Sequence, residues 1–281
     1  MKEVTLTNKL SKNLLGFGIA AAAVPLYMLA PGRATKRQKL PFSGRNYAHR
    51  GLHTADKAVP ENSLEAFRQA AESGYGAELD VQLSKDGQVV VFHDDTLDRV
   101  CGVHGRVDAF TYAELRQMKL CGTDQYIPLF SEVLAVIDGR GPIICELKTG
   151  PRNRELCRKT YDLISSYRGD VCVESFDPRI VAWFRFHGRD FVRGQLANLP
   201  SQYPADVTGG KLFAFLGGHT LLNFLGRPQF IAYGVCERKP LTVRLCEALG
   251  AMRVAWTCRC PGREKHNDAV IFEFYRPDTR Y

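Results

Sequence analysis

From Tyr47 onward, short apolar runs of strand length alternate with stretches whose apolar residues recur at helical spacing. That alternation argues for βα units rather than a sandwich or a helical bundle. The runs Tyr47–His49, Glu78–Leu83, Val89–His93, Ile143–Leu147, Val171–Ser175, Val192–Ala197, Phe230–Tyr233, Arg253–Thr257 and Val270–Phe274 predict nine strands, one more than an eight-stranded barrel holds. The turn Ser84-Lys85-Asp86-Gly87 is too short for a crossover helix. The strands beside it are therefore predicted to pair as an antiparallel hairpin, with one of them outside the parallel set. If Leu83 stands opposite Gln88, Asp80 faces Val91 and Glu78 faces His93, so that two acids and a histidine share one face.

Helices are predicted at Ser63–Ser73, where Leu64, Phe67 and Ala71 recur and Asn62 or Ser63 can cap, and at Tyr112–Lys119, Phe130–Ile137, Asn153–Ser166, Pro178–His187 and Leu241–Leu249. The stretch Pro200–Pro228, rich in glycine and phenylalanine, reads as a long βα connection of the kind that covers a barrel mouth.

A different pattern precedes these units. Residues 14–30 (LLGFGIAAAAVPLYMLA) carry no charge and would span about 25 Å as a helix, near the lower limit for a bilayer. A single-pass anchor is the favoured reading, ahead of a cleaved signal or a buried helix, because the run exceeds a usual signal core and Pro31 spoils the cleavage site. Arg33, Lys36, Arg37 and Lys39 follow the run, which sets the larger domain on the cytoplasmic side. The division expected is an N-terminal segment, 1–40, and a catalytic unit, 41–281.

Composition narrows the class. With 45% hydrophobic residues and a mean hydropathy of −0.20, the chain has ample material for a core. Nine cysteines without a Cys-x-x-Cys pair, several inside apolar runs, suit a reducing compartment. The net charge of +8 suits an anionic substrate or surface, but the basic residues are scattered and no nucleic-acid module is present. Self-association leaves no mark in the sequence.

Candidate chemistry gathers at the strand ends. Glu78 and Asp80 alternate on one strand and Glu146 stands in another, a set suited to one hard divalent cation such as Mg²⁺ or Ca²⁺. Pairing with Lys148 or an arginine is the alternative. His49 and His93 each end a strand, and two imidazoles can share acid and base duties around phosphorus. Arg50 and Lys148 offer donors to a phosphate, or ion pairs to Glu61 and Glu146. Trp256 and Phe176, also at strand ends, suit either a substrate wall or the core. His53, His104, His187, His219 and His266 have no such company and read as surface or loop residues.

The ordered set His49-Arg50-Gly51, Pro60-Glu61-Asn62-Ser63, Glu78-x-Asp80, His93-Asp94, Glu146-Leu147-Lys148, Glu174-Ser175-Phe176 and Trp256-Thr257 resembles the glycerophosphodiester phosphodiesterase family. The resemblance implies a TIM-type (β/α)8 barrel and hydrolysis of glycerophosphodiesters to glycerol 3-phosphate and an alcohol. It also implies metal ligation by Glu78, Asp80 and Glu146, acid–base roles for His49 and His93, phosphate contacts from Arg50 and Lys148, and a pocket lined by Trp256. One departure is visible: where the family commonly ends its last strand with Thr-Asp-x-Pro, this chain carries Glu273. A lysophospholipase D acting on lysolipids, an inactive barrel used for binding, and a phosphatidylinositol-type lipase are the remaining readings.

Overall fold

The computed structural model describes residues 23–204 and 209–281. Nine strands form one sheet: β1 (Arg45–Ala48), β2 (Gly76–Leu83), β3 (Val89–Val91), β4 (Ile143–Leu147), β5 (Val171–Ser175), β6 (Arg193–Ala197), β7 (Phe230–Gly234), β8 (Met252–Cys258) and β9 (Ala269–Phe272). All neighbours are parallel except β2 and β3, and β1 pairs with both β9 and β2, which closes eight parallel strands into a barrel. The surplus strand is β3, outside the ring as the short turn predicts.

The hairpin register differs from the expected one by a single residue: Leu83 faces Val89 and Val81 faces Val91. Ser84 closes the loop by bonding Gln88 in both directions, which leaves three loop residues ending at Gly87 in the left-handed region (φ 79°). Such a loop accepts glycine at that position without strain. Glu78 therefore does not face His93. The acids meet by another route, because β4 lies parallel to β2 with Asp80 beside Glu146.

Strand alternation then sorts the barrel interior by height. On β4 and β5, Ile144 and Cys172 belong to the apolar floor, while Glu146 and Glu174 stand two residues nearer the C-terminal rim. Tyr47, Phe230, Met252 and Ile271 fill the same floor. Two glycines make room for the rings: a Cβ on Gly76 would meet Tyr47 at 2.5 Å, and one on Gly194 would meet Phe230 at 2.0 Å.

Outside the ring pack α1 (Leu64–Glu72), α2 (Phe130–Ile137), α3 (Asn153–Ser166), α4 (Pro178–His187), α5 (Gly210–Gly218) and α6 (Leu241–Ala248). Ser63 caps α1 through its Oγ, and Phe67, Ala70 and Ala71 face the sheet. The helix expected at Tyr112–Lys119 is a single turn, Tyr112–Leu115. It belongs to a small satellite core after β3, where Phe92, Leu97, Val100, Val107, Leu115 and Ile127 pack together.

The expected membrane anchor is corrected. Among the described residues no helix is long and apolar enough to cross a membrane, and the cytoplasmic orientation built on that anchor falls with it. Residues 14–22 of the run lie outside the described residues. The remainder, a helix over 23–29, is exposed over 23–27 and joins the barrel at its end, where Leu29 is buried with Ile231, Tyr233, Val243 and Cys246. Arg227 clamps this helix end through the carbonyls of Tyr27 (2.6 Å) and Ala30 (2.8 Å). Leu29→Ala is expected to destabilise the protein by about 2–5 kcal/mol, read as a lowered urea midpoint.

Candidate active site

The acids converge at the C-terminal rim. Glu78, Asp80 and Glu146 are buried, with ligand atoms within 4.8 Å of one another. Burial and the charges of Asp80 and Glu146 push Glu78 well above the usual carboxylate range. Asp80 stays ionised: burial opposes its charge, but His93, Lys148 and Arg50 outweigh it. Lys148 lies between two acids, 2.9 Å from Glu146 and 3.4 Å from Asp80. Asn62 donates to Asp80 Oδ2 at 2.9 Å, while its own Oδ1 is buried without a partner. An all-oxygen cluster with an orphaned amide oxygen at its edge fits a hard divalent cation.

Arg50 belongs to the same layer. Its backbone takes the left-handed region (φ 53°), and its N–H donates to Glu78 Oε2 at 3.0 Å. Its guanidinium lies 3.6 Å from Asp80 and 2.7 Å from Glu61. Both cations therefore make the ion pairs that stood as alternatives while also bordering the acid triad.

Each histidine of the pair carries its own carboxylate. His49 Nδ1 is 3.1 Å from Glu273 Oε1, and His49 Nε2 is 4.0 Å from Glu78. Burial lowers the His49 imidazole to about 4, overriding the opposing pull of Glu273. His93 Nδ1 is 2.6 Å from Asp94 Oδ1, and its ring acts electrostatically on both Asp80 and Glu146. Two strand-end imidazoles with anchored Nδ1 atoms thus flank the acid cluster.

Several members of this site were not singled out from the sequence. His53, read as a loop residue, is largely buried and shares Glu273 Oε1 with His49 at 3.1 Å. Glu273, noted only as a departure from the family pattern, also accepts from Arg259 at 2.8 Å. Arg99 grips Glu61 through both Nη atoms (2.7 Å each) and Asp94 through Nε (2.6 Å). A charged chain therefore runs from His93 through Asp94, Arg99 and Glu61 to Arg50. Asp94 had a visible signal in its adjacency to His93, and His53 in its place one turn after His49. Arg99 meets Glu61 across 38 residues, with no local pattern to reveal it.

Trp256 and Phe176 stand edge to face across the mouth, with ring centroids 5.6 Å apart, and Phe176 meets Tyr203 at 6.0 Å. Both are partly buried above the barrel floor, so wall and core roles coincide. On the other side, a cavity of about 270 Å³ opens beside His49 and Arg50, with His53, Lys57, Arg99 and Arg259 on its lining.

The family model described as "Glycerophosphoryl diester phosphodiesterase family" matches residues 49–266. The chain belongs to this family. It is 30% identical over 264 residues to glycerophosphodiester phosphodiesterase 1 of Homo sapiens, covering 83% of this chain and 77% of the relative. A glycerophosphodiester phosphodiesterase of Caldanaerobacter subterraneus is 41% identical over 113 residues, and the lysophospholipase D GDPD1 of Rattus norvegicus 34% over 156. Those matches cover 37% and 51% of this chain, and 44% and 48% of the relatives' own lengths, so this chain spans less than half of either. The barrel also superposes, with a TM-score of 0.67 and 22% identity, on a phosphodiesterase of Oleispira antarctica solved with sn-glycerol 3-phosphate, covering 83% and 94% of the two chains.

Two expectations follow for this family member. Glu273→Gln is expected to keep the fold and lower kcat by roughly 10²–10⁴-fold, the range for losing the orienting carboxylate of a histidine, checked by steady-state kinetics beside circular dichroism. Arg99 and Arg50 hold Glu61 down to about 2 against burial, which would raise it. A depressed carboxylate contributes stability above its ordinary value of 4.5, and that stability is lost as pH falls toward 2. The difference in urea midpoint between wild type and Glu61→Gln should therefore be largest at pH 7 and shrink below about pH 4.5.

Proposed function

We propose that the protein hydrolyses glycerophosphodiesters to glycerol 3-phosphate and an alcohol, using one divalent cation, Mg²⁺ or Ca²⁺, within the catalytic unit 41–281. The supporting observation is the buried cluster Glu78, Asp80 and Glu146 flanked by two histidines whose Nδ1 atoms are each fixed by a carboxylate. Glu78, Asp80 and Glu146 would hold the cation, which when bound supplies positive charge to the phosphate.

The chain's own groups do the rest. Arg50 and Lys148, held at the rim by their acid partners, present donors to the non-bridging phosphate oxygens. His49, kept neutral by burial and donating from Nδ1 to Glu273, leaves Nε2 free to take the proton of the glycerol 2-hydroxyl. That oxygen attacks phosphorus as the bond to the alcohol breaks, and His93, its Nδ1 held by Asp94, gives a proton to the departing oxygen. Water then opens the cyclic phosphate: its proton goes to His93, and His49 returns one to the glycerol 2-oxygen. Trp256 and Phe176 pack against the organic part of the substrate.

One observation favours a lysophospholipase D reading as well. The aromatic series Trp256, Phe176, Tyr203 and Phe213 leads from the mouth to α5, where Leu212 and Phe215 are exposed. An acyl chain would find an apolar path there. Glycerophosphocholine and lysophosphatidylcholine, assayed with the full chain with and without EDTA, separate the two substrates. Activity is expected to vanish in EDTA, and His49→Ala and His93→Ala should each lose roughly 10²–10⁴-fold in rate. Full activity in EDTA would overturn the proposal.

A further inference from the structure

Beside the acid layer lies a second set of donors, which the chemistry above uses only to orient a histidine. His49 follows β1 and Glu273 follows β9, and these strands pair with Ala48 beside Phe272, so the two residues leave the sheet side by side. The chain then turns at Gly51, which is left-handed (φ 76°) and bonds back to the Ala48 carbonyl. Two residues later His53 sets its ring edge-on against Phe274, with centroids 5.1 Å apart. His49 Nδ1 and His53 Nε2 thereby lie 3.1 Å from one and the same oxygen, Glu273 Oε1. The three ligand atoms fall within 4.8 Å of one another. Arg259 holds the other carboxylate oxygen at 2.8 Å, which leaves Oε1 to the two rings. All three residues line the cavity of about 270 Å³, so an ion has a path to them.

Two imidazoles and one carboxylate are a donor set for zinc with a position left open, whereas Mg²⁺ and Ca²⁺ favour oxygen alone. Tetrahedral Zn²⁺, with bonds of roughly 2.0–2.2 Å, sets its ligand atoms about 3.3 Å apart. The two separations of 3.1 Å come close to that spacing. Arg259 on the free oxygen is the kind of outer partner that steadies a ligating carboxylate.

We propose that His49, His53 and Glu273 form a zinc site, and that Zn²⁺ held there inhibits the enzyme by disabling His49. Coordination takes the Nδ1 lone pair, so the proton that neutral His49 directs at Glu273 moves to Nε2. His53 moves its own proton from Nε2 to Nδ1, and no net proton is released. His49 Nε2 then carries a hydrogen and has no lone pair for the glycerol hydroxyl proton. The inhibitory half of this inference rests on the reading of His49 as the base.

Isothermal titration of the full chain with ZnCl₂, in saturating MgCl₂ to occupy the acid triad, tests the site without recourse to activity. Wild type should bind one Zn²⁺, and His53→Gln should weaken it by at least about ten-fold. No zinc binding in wild type, or equal affinity in His53→Gln, overturns the proposal, because the ion then sits on the acids or on a thiol. If His53→Gln fails to fold by circular dichroism, Glu273→Gln decides in the same way. Glycerophosphocholine hydrolysis in the same buffer should fall as zinc binds, and His53→Gln should need at least about ten-fold more zinc for the same fractional loss of its own rate. Zinc bound at this site with hydrolysis undiminished overturns the inhibition. A chain that binds zinc as expected but hydrolyses no phosphodiester even without it refutes the proposed function and leaves the site standing.

Discussion

Everything at the mouth of this barrel answers to one electrostatic problem: carboxylates forced together in a buried layer by strand register. Asp80 stands beside Glu146, and Glu146 beside Glu174, because β2, β4 and β5 are parallel neighbours and their alternate residues point inward. Left alone, such a cluster holds protons; burial and the neighbouring carboxylates drive Glu78 and Glu174 well above the usual carboxylate range, Asp80 and Glu146 acting on the first and Glu78, Glu146 and Asp80 on the second. Lys148 and Arg50 relieve only part of the repulsion. Such an arrangement becomes tolerable in a folded protein when a cation completes it, which links the strain in this layer to the cation site proposed above.

Around that layer a second set of charges fixes orientation. Glu273 holds His49 and His53, Asp94 holds His93, and Arg99 ties Asp94 to Glu61 and so to Arg50. The two histidines and Arg50 are thereby set from outside by partners just after β9, in the segment after β3 and at the entrance to α1. Bidentate geometry at Arg99 gives this outer ring directionality that single lysine contacts would lack.

How much of this was legible in the sequence depends on range. Short apolar runs and the tight turn at Gly87 disclosed nine strands with one outside the ring, and Ser63 announced α1. The three acids stood out because carboxylates are unusual inside apolar strand runs, and the structure does bring them together; His49 and His93 stood out at the ends of such runs. The hairpin register was not, because choosing a three-residue loop over a four-residue one depends on the positive φ at Gly87 and on Ser84 bonding back to Gln88. Nor were Arg99 and Glu273, whose partners lie far away along the chain. At the described end of the run hydropathy alone does not separate a bilayer from a protein surface: Leu29 is buried against Ile231 and Tyr233.

That last contact changes how the domain boundary must be regarded. Residues 29–32 behave as part of the barrel wall: Leu29 covers the outer face of β7 beside α6, its carbonyl receives the Cys246 thiol at 2.8 Å, and the Gly32 N–H donates to the Pro228 carbonyl. A fragment begun near residue 41, chosen to liberate the enzyme from an apolar leader, would peel this cover away and uncover aliphatic and aromatic surface on β7. Stickiness in such a truncated protein would then report a missing plank rather than an affinity for lipid.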